Sequence, residues 1–437
     1  MKKILSIIII GILIGCSFGV QGLFLKKPSE ETTNTDLGDF FFDKKIELFM
    51  TLAKFPSLSA CVIEGDQVTW SNSYGFYNLK NRKEASEDTI YNIGSITKTI
   101  TGTALMQLWE QGFFDLDEDI TNYLPFPFRN PHFPDNPITF RMLLSHSSSL
   151  NSESMSQNGY YWFNFSDDAP FSFYPYPWLE EHLIPGGIWY YPERWSTTYR
   201  PGEYNMYANI NFDIIAYLVE LISGESFVDY CKNHIFTPLE MYDTSFNLSE
   251  LDIDNVAIPY HYHNGEYLQI NDLSYLFGSK TPPNKYWRIL NIPVGGLYST
   301  ISDLSHFFIA HMNDGVWNDV RILKEKTVEE MHTVQPPGNK GSSGDYLGLE
   351  WEILENPGIF NVTLMEHSGG NIGVLTRMNY ISYGKIGFII FANGDEYYEQ
   401  ESPLTSIVNG VLIPNSLLKK AGYNLFSHID FGNIGGE

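Results

Sequence analysis

A serine hydroxyl is a weak nucleophile at neutral pH and needs a base within hydrogen-bond reach. A lysine three residues further along a helix lies on the same face and can reach it. Ser95-Ile96-Thr97-Lys98 has this spacing at the start of a predicted helix over Ile96–Gln111, where unpaired backbone N–H groups can also stabilise a developing oxyanion. The spacing recurs at Ser382/Lys385, in a predicted strand turn, and at Ser416/Lys419, in a predicted C-terminal helix, so it does not select a nucleophile by itself. Two further motifs follow Ser95 along the chain. Tyr207-Ala208-Asn209 comes after Arg200-Pro201-Gly202 and before a strongly helical run, Ile214–Ile222, whereas the competing Tyr262-His263-Asn264 lies in a polar turn before Gly265. Glu366-His367-Ser368-Gly369-Gly370 ends a predicted strand, where glycines let a substrate approach the backbone closely. Taken alone, His367 reads as an ordinary surface or core histidine.

Particular elements must position these groups. Phe40–Leu52 has the apolar spacing of a surface helix, and Ser59–Ile63 and Val68–Ser73, separated by Glu64-Gly65-Asp66, predict a hairpin. The helix carrying Lys98 places Ile100, Ala104, Leu105 and Leu108 on its inner side and stops at Gly112. From about Ile138 to Met241 helical patterns alternate with Pro- and aromatic-rich loops. Strands return at Leu347–Ile353, Val362–Glu366, Val374–Asn379 and Ile386–Ala392, and Ser406–Ala421 predicts a closing helix. The first hairpin and the last strands flank the helical middle. The predicted fold is therefore α/β of the α+β type: one antiparallel sheet completed by both chain ends, flanked by helices, with a helical subdomain inserted at about residues 100–250. The expected organisation is a leader or anchor at 1–25, a linker at 26–39, the main domain at 40–421 and a tail at 422–437.

The formal charge of -25 provides no basic stripe for phosphates, which argues against a nucleic-acid partner. Lys2 and Lys3 precede an uncharged apolar run, Ile4–Val20, the pattern of an export signal or membrane anchor with the lysines inside and the rest of the chain outside. Leu13-Ile14-Gly15-Cys16 resembles a bacterial lipoprotein box with Cys16 as the lipidated residue. The run stays mostly apolar to Leu25, close to the roughly 20 residues of a spanning helix, so an uncleaved anchor is an equal reading and a cleaved, secreted form a third. The expected location is the cell surface or periplasm. Cys61 and Cys231 read as buried thiols without a disulfide framework. The one Gly-x-Ser-x-Gly match, Gly15–Gly19, lies inside the leader, which removes an α/β-hydrolase elbow. There is no His-Glu-x-x-His, and His261/His263 form an isolated pair, so neither a metal nor a cofactor is called for.

The ordered motifs resemble those of the β-lactamase-related serine hydrolases, a family that includes class C β-lactamases, penicillin-binding DD-peptidases, D-aminopeptidases and some esterases. Ser95/Lys98, Tyr207/Asn209 and His367/Gly369 match its three motifs in order. Tyr91–Ile100, Ile138–His146, Pro201–Phe212, Gly295–Thr300 and Phe391–Asn393 look familial as well. The resemblance implies a β-lactamase/transpeptidase-like fold and an acyl-enzyme on Ser95, with Lys98 and Tyr207 sharing the base and acid work. It further implies that Asn209 orients Lys98 or the substrate amide, and that the N–H groups of Ser95 and Gly370 form an oxyanion hole. His367 stands where β-lactamases usually place a lysine that meets the substrate carboxylate, so a permanent cation is missing there. The expected substrate is a small ester or peptide amide, as for an esterase, a D-amino-acid peptidase or a DD-peptidase. A true β-lactamase and a catalytically silent penicillin sensor are the alternatives. The segment Tyr160–Tyr199, with fourteen aromatic residues from Tyr160 to Trp195, reads equally as a packed insertion or as a lid over the site.

Overall fold

Ser57–Glu64 (β1) is buried on both faces along nearly its whole length, as only a central strand covered from both sides can be. It turns at Gly65 into the long β2 (Gln67–Asn78), which pairs with β3 (Lys83–Glu84). The computed structural model describes residues 34–151, 177–269, 291–342, 344–356, 362–382 and 385–395. By chain contacts there are two compact units, residues 1–46 and residues 47–437. The leader, the aromatic residues 160–176, the predicted closing helix with Ser416 and Lys419, and the tail lie outside the described residues.

The remaining strands are β4 (Tyr91–Asn92), β5 (Tyr260–His263), β6 (Glu266–Gln269), β7 (Tyr298–Ser299), β8 (Val316–Trp317), β9 (Val320–Arg321), β10 (Tyr346–Leu347), β11 (Glu352–Asn356), β12 (Val362–Asn371), β13 (Val374–Ile381) and β14 (Ile386–Ala392). The last five of these join β1, β2 and β3 in one eight-stranded antiparallel sheet in the order β10-β11-β12-β13-β14-β1-β2-β3. β1 pairs with β14, Leu58 opposite Ala392 and Glu64 opposite Ile386, so both ends of the domain complete one sheet, as the sequence pattern predicts. β4 and β7 form a small separate ribbon next to the nucleophile segment.

The helices are α1 (Asn34–Ala53), α2 (Thr97–Glu110), α3 (Phe140–Leu144), α4 (Pro177–Leu183), α5 (Ile210–Ser223), α6 (Phe227–Cys231), α7 (Ile292–Gly295), α8 (Ile301–Met312) and α9 (Glu325–Met331). Among the described residues no helix is long and apolar enough to cross a membrane. α2 is buried all round from Thr97 to Leu108, not on one side as its apolar spacing suggests. Its polar residues tolerate this because each hydroxyl finds a partner. Thr97 donates to Gly94 O at 2.6 Å, Thr99 to Ile96 O at 2.8 Å and Thr101 to Pro293 O at 2.8 Å, while Thr103 lies 3.0 Å from His311 Nε2. A buried, hydrogen-bonded α2 gives Lys98 a fixed origin. α5 packs beside it and stops at Gly224, whose left-handed φ of 77° ends the helix. Cys61 and Cys231 are buried free thiols, and burial raises Cys61 to about 12.

Candidate active site

Ser95 sits in a one-turn 3-10 helix, Gly94–Ile96, that leads into α2. The turn is tied down by a buried amide: Asn92 donates to Gly295 O at 3.1 Å and Leu297 O at 3.2 Å, and its oxygen accepts from Gly94 N at 3.3 Å and from Asn371 Nδ2 at 2.9 Å. One side chain thus joins the nucleophile turn, α7 and the end of β12. Lys98, fully buried, places Nζ 2.9 Å from Ser95 Oγ and donates to Val294 O at 2.6 Å. From the other side Tyr207 Oη donates to the same Ser95 Oγ at 2.9 Å. Lys98 Nζ lies 5.0 Å from the centre of the Tyr207 ring.

The Tyr207 loop is held along the segment after α3. Gly202 N donates to Ser147 O at 2.8 Å, Met206 N to His146 O at 2.7 Å and Ala208 N to His146 Nδ1 at 3.1 Å. The His146 ring lies tilted against Tyr207 with centroids 4.5 Å apart. Asn209 is half-buried and occupies the position just before α5, two residues beyond Tyr207.

Gly369 and Gly370 lie inside β12, which runs on to Asn371 instead of ending at Glu366. Their backbone presses against the nucleophile turn. A Cβ on Gly369 would sit 2.2 Å from Ile93 O and 2.9 Å from Ser95 N, and one on Gly94, at φ 53°, would sit 2.8 Å from Gly370 N. No other residue fits at either place. Thr376, across β13 from Gly369, fastens the contact by donating to Ile93 O at 2.7 Å.

His367 is 4% exposed and both of its nitrogens are engaged, Nδ1 with Ser368 O at 2.8 Å and Nε2 with Glu350 Oε1 at 3.0 Å. No nitrogen remains for a substrate. Glu350 was not legible as a site residue: the span 347–353 reads as one strand, yet it breaks into β10 and β11 around Glu350, whose φ is 70°. His146 lies 3.6 Å from the second oxygen of Glu350.

Electrostatically, burial lowers Lys98 from 10.5 to about 7, and Glu350 and Asp213 pull it back up to the extent that they are ionised. Burial and the neighbouring Lys98 push His367 down to about 3 and His146 well below its usual value, whereas burial raises Glu350 well above the carboxylate range. A free amine near neutral pH, 2.9 Å from a serine hydroxyl, can take its proton.

Of the two competing serine motifs, one is described. Lys385 turns its amine to Asn313 Oδ1 at 3.1 Å, and Ser416 lies outside the described residues. Tyr262 and His263 belong to β5, with Asn264 in its turn, apart from any such cluster in the described residues. In the aromatic segment, Trp195 is buried against Phe128 at 5.2 Å while Trp189 is half-exposed.

A family model described as Beta-lactamase matches residues 42–406. The chain belongs to this family. Among curated relatives, this member is 24% identical over 370 residues to Penicillin-binding protein 4* of Bacillus subtilis, spanning 84% of this chain and 74% of the relative. It is 25% identical to the Putative penicillin-binding protein PbpX of the same organism, over 83% of this chain and 79% of that one. With Protein flp of Staphylococcus aureus it shares 24% identity over 84% of its own length and 66% of the relative's. The fold matches the octameric penicillin-binding protein homologue from Pyrococcus abyssi, with a TM-score of 0.64, 24% identity, and 90% of this chain and 78% of that chain covered. It also matches a penicillin binding protein from Bacillus halodurans, at a TM-score of 0.60 and 19% identity, over 84% and 98% of the two chains.

Proposed function

We propose that this protein is a serine hydrolase that turns over a small, uncharged ester or amide through an acyl-enzyme on Ser95. As Ser95 Oγ attacks the carbonyl carbon, its proton passes to the free amine of Lys98. The oxyanion of the tetrahedral intermediate is held by the N–H groups of Ser95 and Gly370. The proton then travels through Tyr207 to the departing alcohol or amine, and the carbon–leaving-group bond breaks. Water repeats the sequence, releasing the acid and the free serine. Asn209 orients the substrate amide or Lys98. The observation that carries this reading is the approach of Lys98 Nζ and Tyr207 Oη, each to 2.9 Å, to one half-exposed serine hydroxyl.

Preference for an uncharged substrate is supported by His367, which carries no charge at neutral pH and has both nitrogens committed. A panel of a chromogenic ester, a D-amino-acid amide and a chromogenic cephalosporin tests the proposal. Turnover of the ester or amide, lost in Ser95→Ala, with the cephalosporin slower, is the expected result. Stoichiometric acylation by the cephalosporin with no turnover of any substrate would instead make the protein a penicillin sensor. We also propose that the chain is exported and held at the membrane through residues 1–25, by lipid on Cys16 or by an uncleaved helix, on the strength of Lys2, Lys3 and the apolar run after them.

A further inference from the structure

Glu350 is costly to the fold. It is 3% exposed, its φ of 70° is a conformation that favours glycine, and its carboxyl is taken fully out of water among ionisable groups. Those groups are Lys98 on α2, His146 after α3, His367 on β12 and Glu352 two residues further along the chain, while Asp213 on α5 acts on Lys98 in turn. A glycine would fit the backbone better and leave no carboxyl to desolvate.

The positions of the hydrogens define the role of the carboxyl. His367 Nδ1 faces a carbonyl oxygen, Ser368 O, so Nδ1 carries a hydrogen. His146 Nδ1 accepts from Ala208 N, so the neutral His146 ring has its hydrogen on Nε2, on the side of Glu350. The 3.0 Å contact of His367 Nε2 with Glu350 Oε1 then needs one proton that the neutral ring does not have to give. Either the carboxyl carries it, or the pair is an imidazolium and a carboxylate. In a dry pocket shared with Lys98 an imidazolium would face a second cation-forming group, which favours the carboxylic acid.

We propose that Glu350 is a positioning residue that works as a neutral acid: it donates to His367 Nε2, aims Nδ1–H at the Ser368 carbonyl, and so holds the Ser368–Gly370 backbone against Ser95 without placing a charge beside Lys98. This rests on the reading of Ser95 as the nucleophile. Burial keeps the proton on the carboxyl at neutral pH, in keeping with the raised affinity of Glu350 and the lowered one of His367.

The test is the rate of Ser95 labelling by a fluorophosphonate, followed from pH 5 to pH 9 in wild type, Glu350→Gly and Glu350→Gln, with thermal unfolding of each. Glu350→Gly relieves the left-handed backbone and the buried acid, so it should unfold no lower than wild type yet label at least about tenfold more slowly. Glu350→Gln keeps a neutral donor to His367. It should recover the rate to within about threefold of wild type and leave the pH midpoint set by Lys98 unchanged. Wild-type labelling speed in a well-folded Glu350→Gly would overturn the proposal. So would a fall of the midpoint by about one pH unit or more in Glu350→Gln, which would mean that Glu350 is an anion beside Lys98. If Glu350→Gly unfolds early, the Gln variant alone decides. If wild-type Ser95 is never labelled, it is the assignment of the nucleophile that fails.

Discussion

The proton affinity of Lys98 ties the chemistry to the fold, and it can be measured. With Lys98 at about 7, roughly one-tenth of the protein has a free amine at pH 6 and nine-tenths at pH 8. Acylation of Ser95 should therefore rise about tenfold across that interval and level off above pH 8. A lysine at its ordinary 10.5 would give no plateau there, and the rate would climb about tenfold per pH unit to beyond pH 10. Stopped-flow acylation by an activated ester, on the soluble fragment from about Lys26, separates the two profiles. Asp213→Asn removes a charge that favours the ammonium form, so the midpoint should move to lower pH by roughly several tenths to one unit. The same burial affects stability. Between about 7 and 10.5 the unfolded chain binds the Lys98 proton and the folded protein does not, so this group makes stability rise with pH across that window. The full displacement corresponds to at most about 5 kcal/mol, so Lys98→Met should abolish acylation and raise the unfolding temperature at pH 7. A log-linear profile without a plateau, or a Lys98→Met protein less stable than wild type at pH 7, would refute the view that Lys98 is a desolvated free amine.

Tyr207→Phe removes the hydroxyl 2.9 Å from Ser95 Oγ and should cost roughly two to four orders of magnitude in kcat, with little change in far-UV circular dichroism. A loss below tenfold would mean that Tyr207 moves no proton. Gly369→Ala would bring a methyl group to 2.2 Å from Ile93 O, so β12 should shift away from Ser95, slowing labelling by about 100-fold and costing roughly 1–3 kcal/mol in urea unfolding. Near wild-type labelling would show that the strand does not need to sit so close. Protease added to cells whose outer envelope has been made permeable should degrade the domain, and full protection until the cytoplasmic membrane is lysed would place it inside. Cys16→Ala should abolish incorporation of a labelled fatty acid if Cys16 is lipidated and change nothing if the apolar run spans the membrane.

The sheet was legible because its pattern is local: alternation and turn residues mark Ser59–Ser73 and Val374–Ala392, and covering both faces demands that the two ends meet. The pairing of Ser95 with Lys98 was legible for the same reason, since helical spacing joins them. Tyr207 is 112 residues from Ser95, and only the resemblance to a known family placed it. Three features had no signal in spacing. The spacing makes α2 one-sided because threonine counts as polar, while in the folded protein its hydroxyls bond to nearby backbone and to His311. Asn92 and His146 act through backbone atoms of distant segments, which no periodicity records. Glu350 is hidden because apolar Leu347, Leu349, Trp351 and Ile353 alternate around it and suggest a continuous strand, and a left-handed glutamate breaks that strand where glycine would have announced a turn. The third motif of the family puts His367 beside the substrate. Its contact with Glu350, 17 residues away, turns it instead into part of the support under β12.

Mass mapping of a fluorophosphonate adduct on the active protein tests the assignment of the nucleophile most directly. The expected result is a single adduct on the peptide carrying Ser95, absent in Ser95→Ala and strongly reduced in Lys98→Ala. An adduct on Ser382 or Ser416, or undiminished labelling of Ser95→Ala, would contradict it.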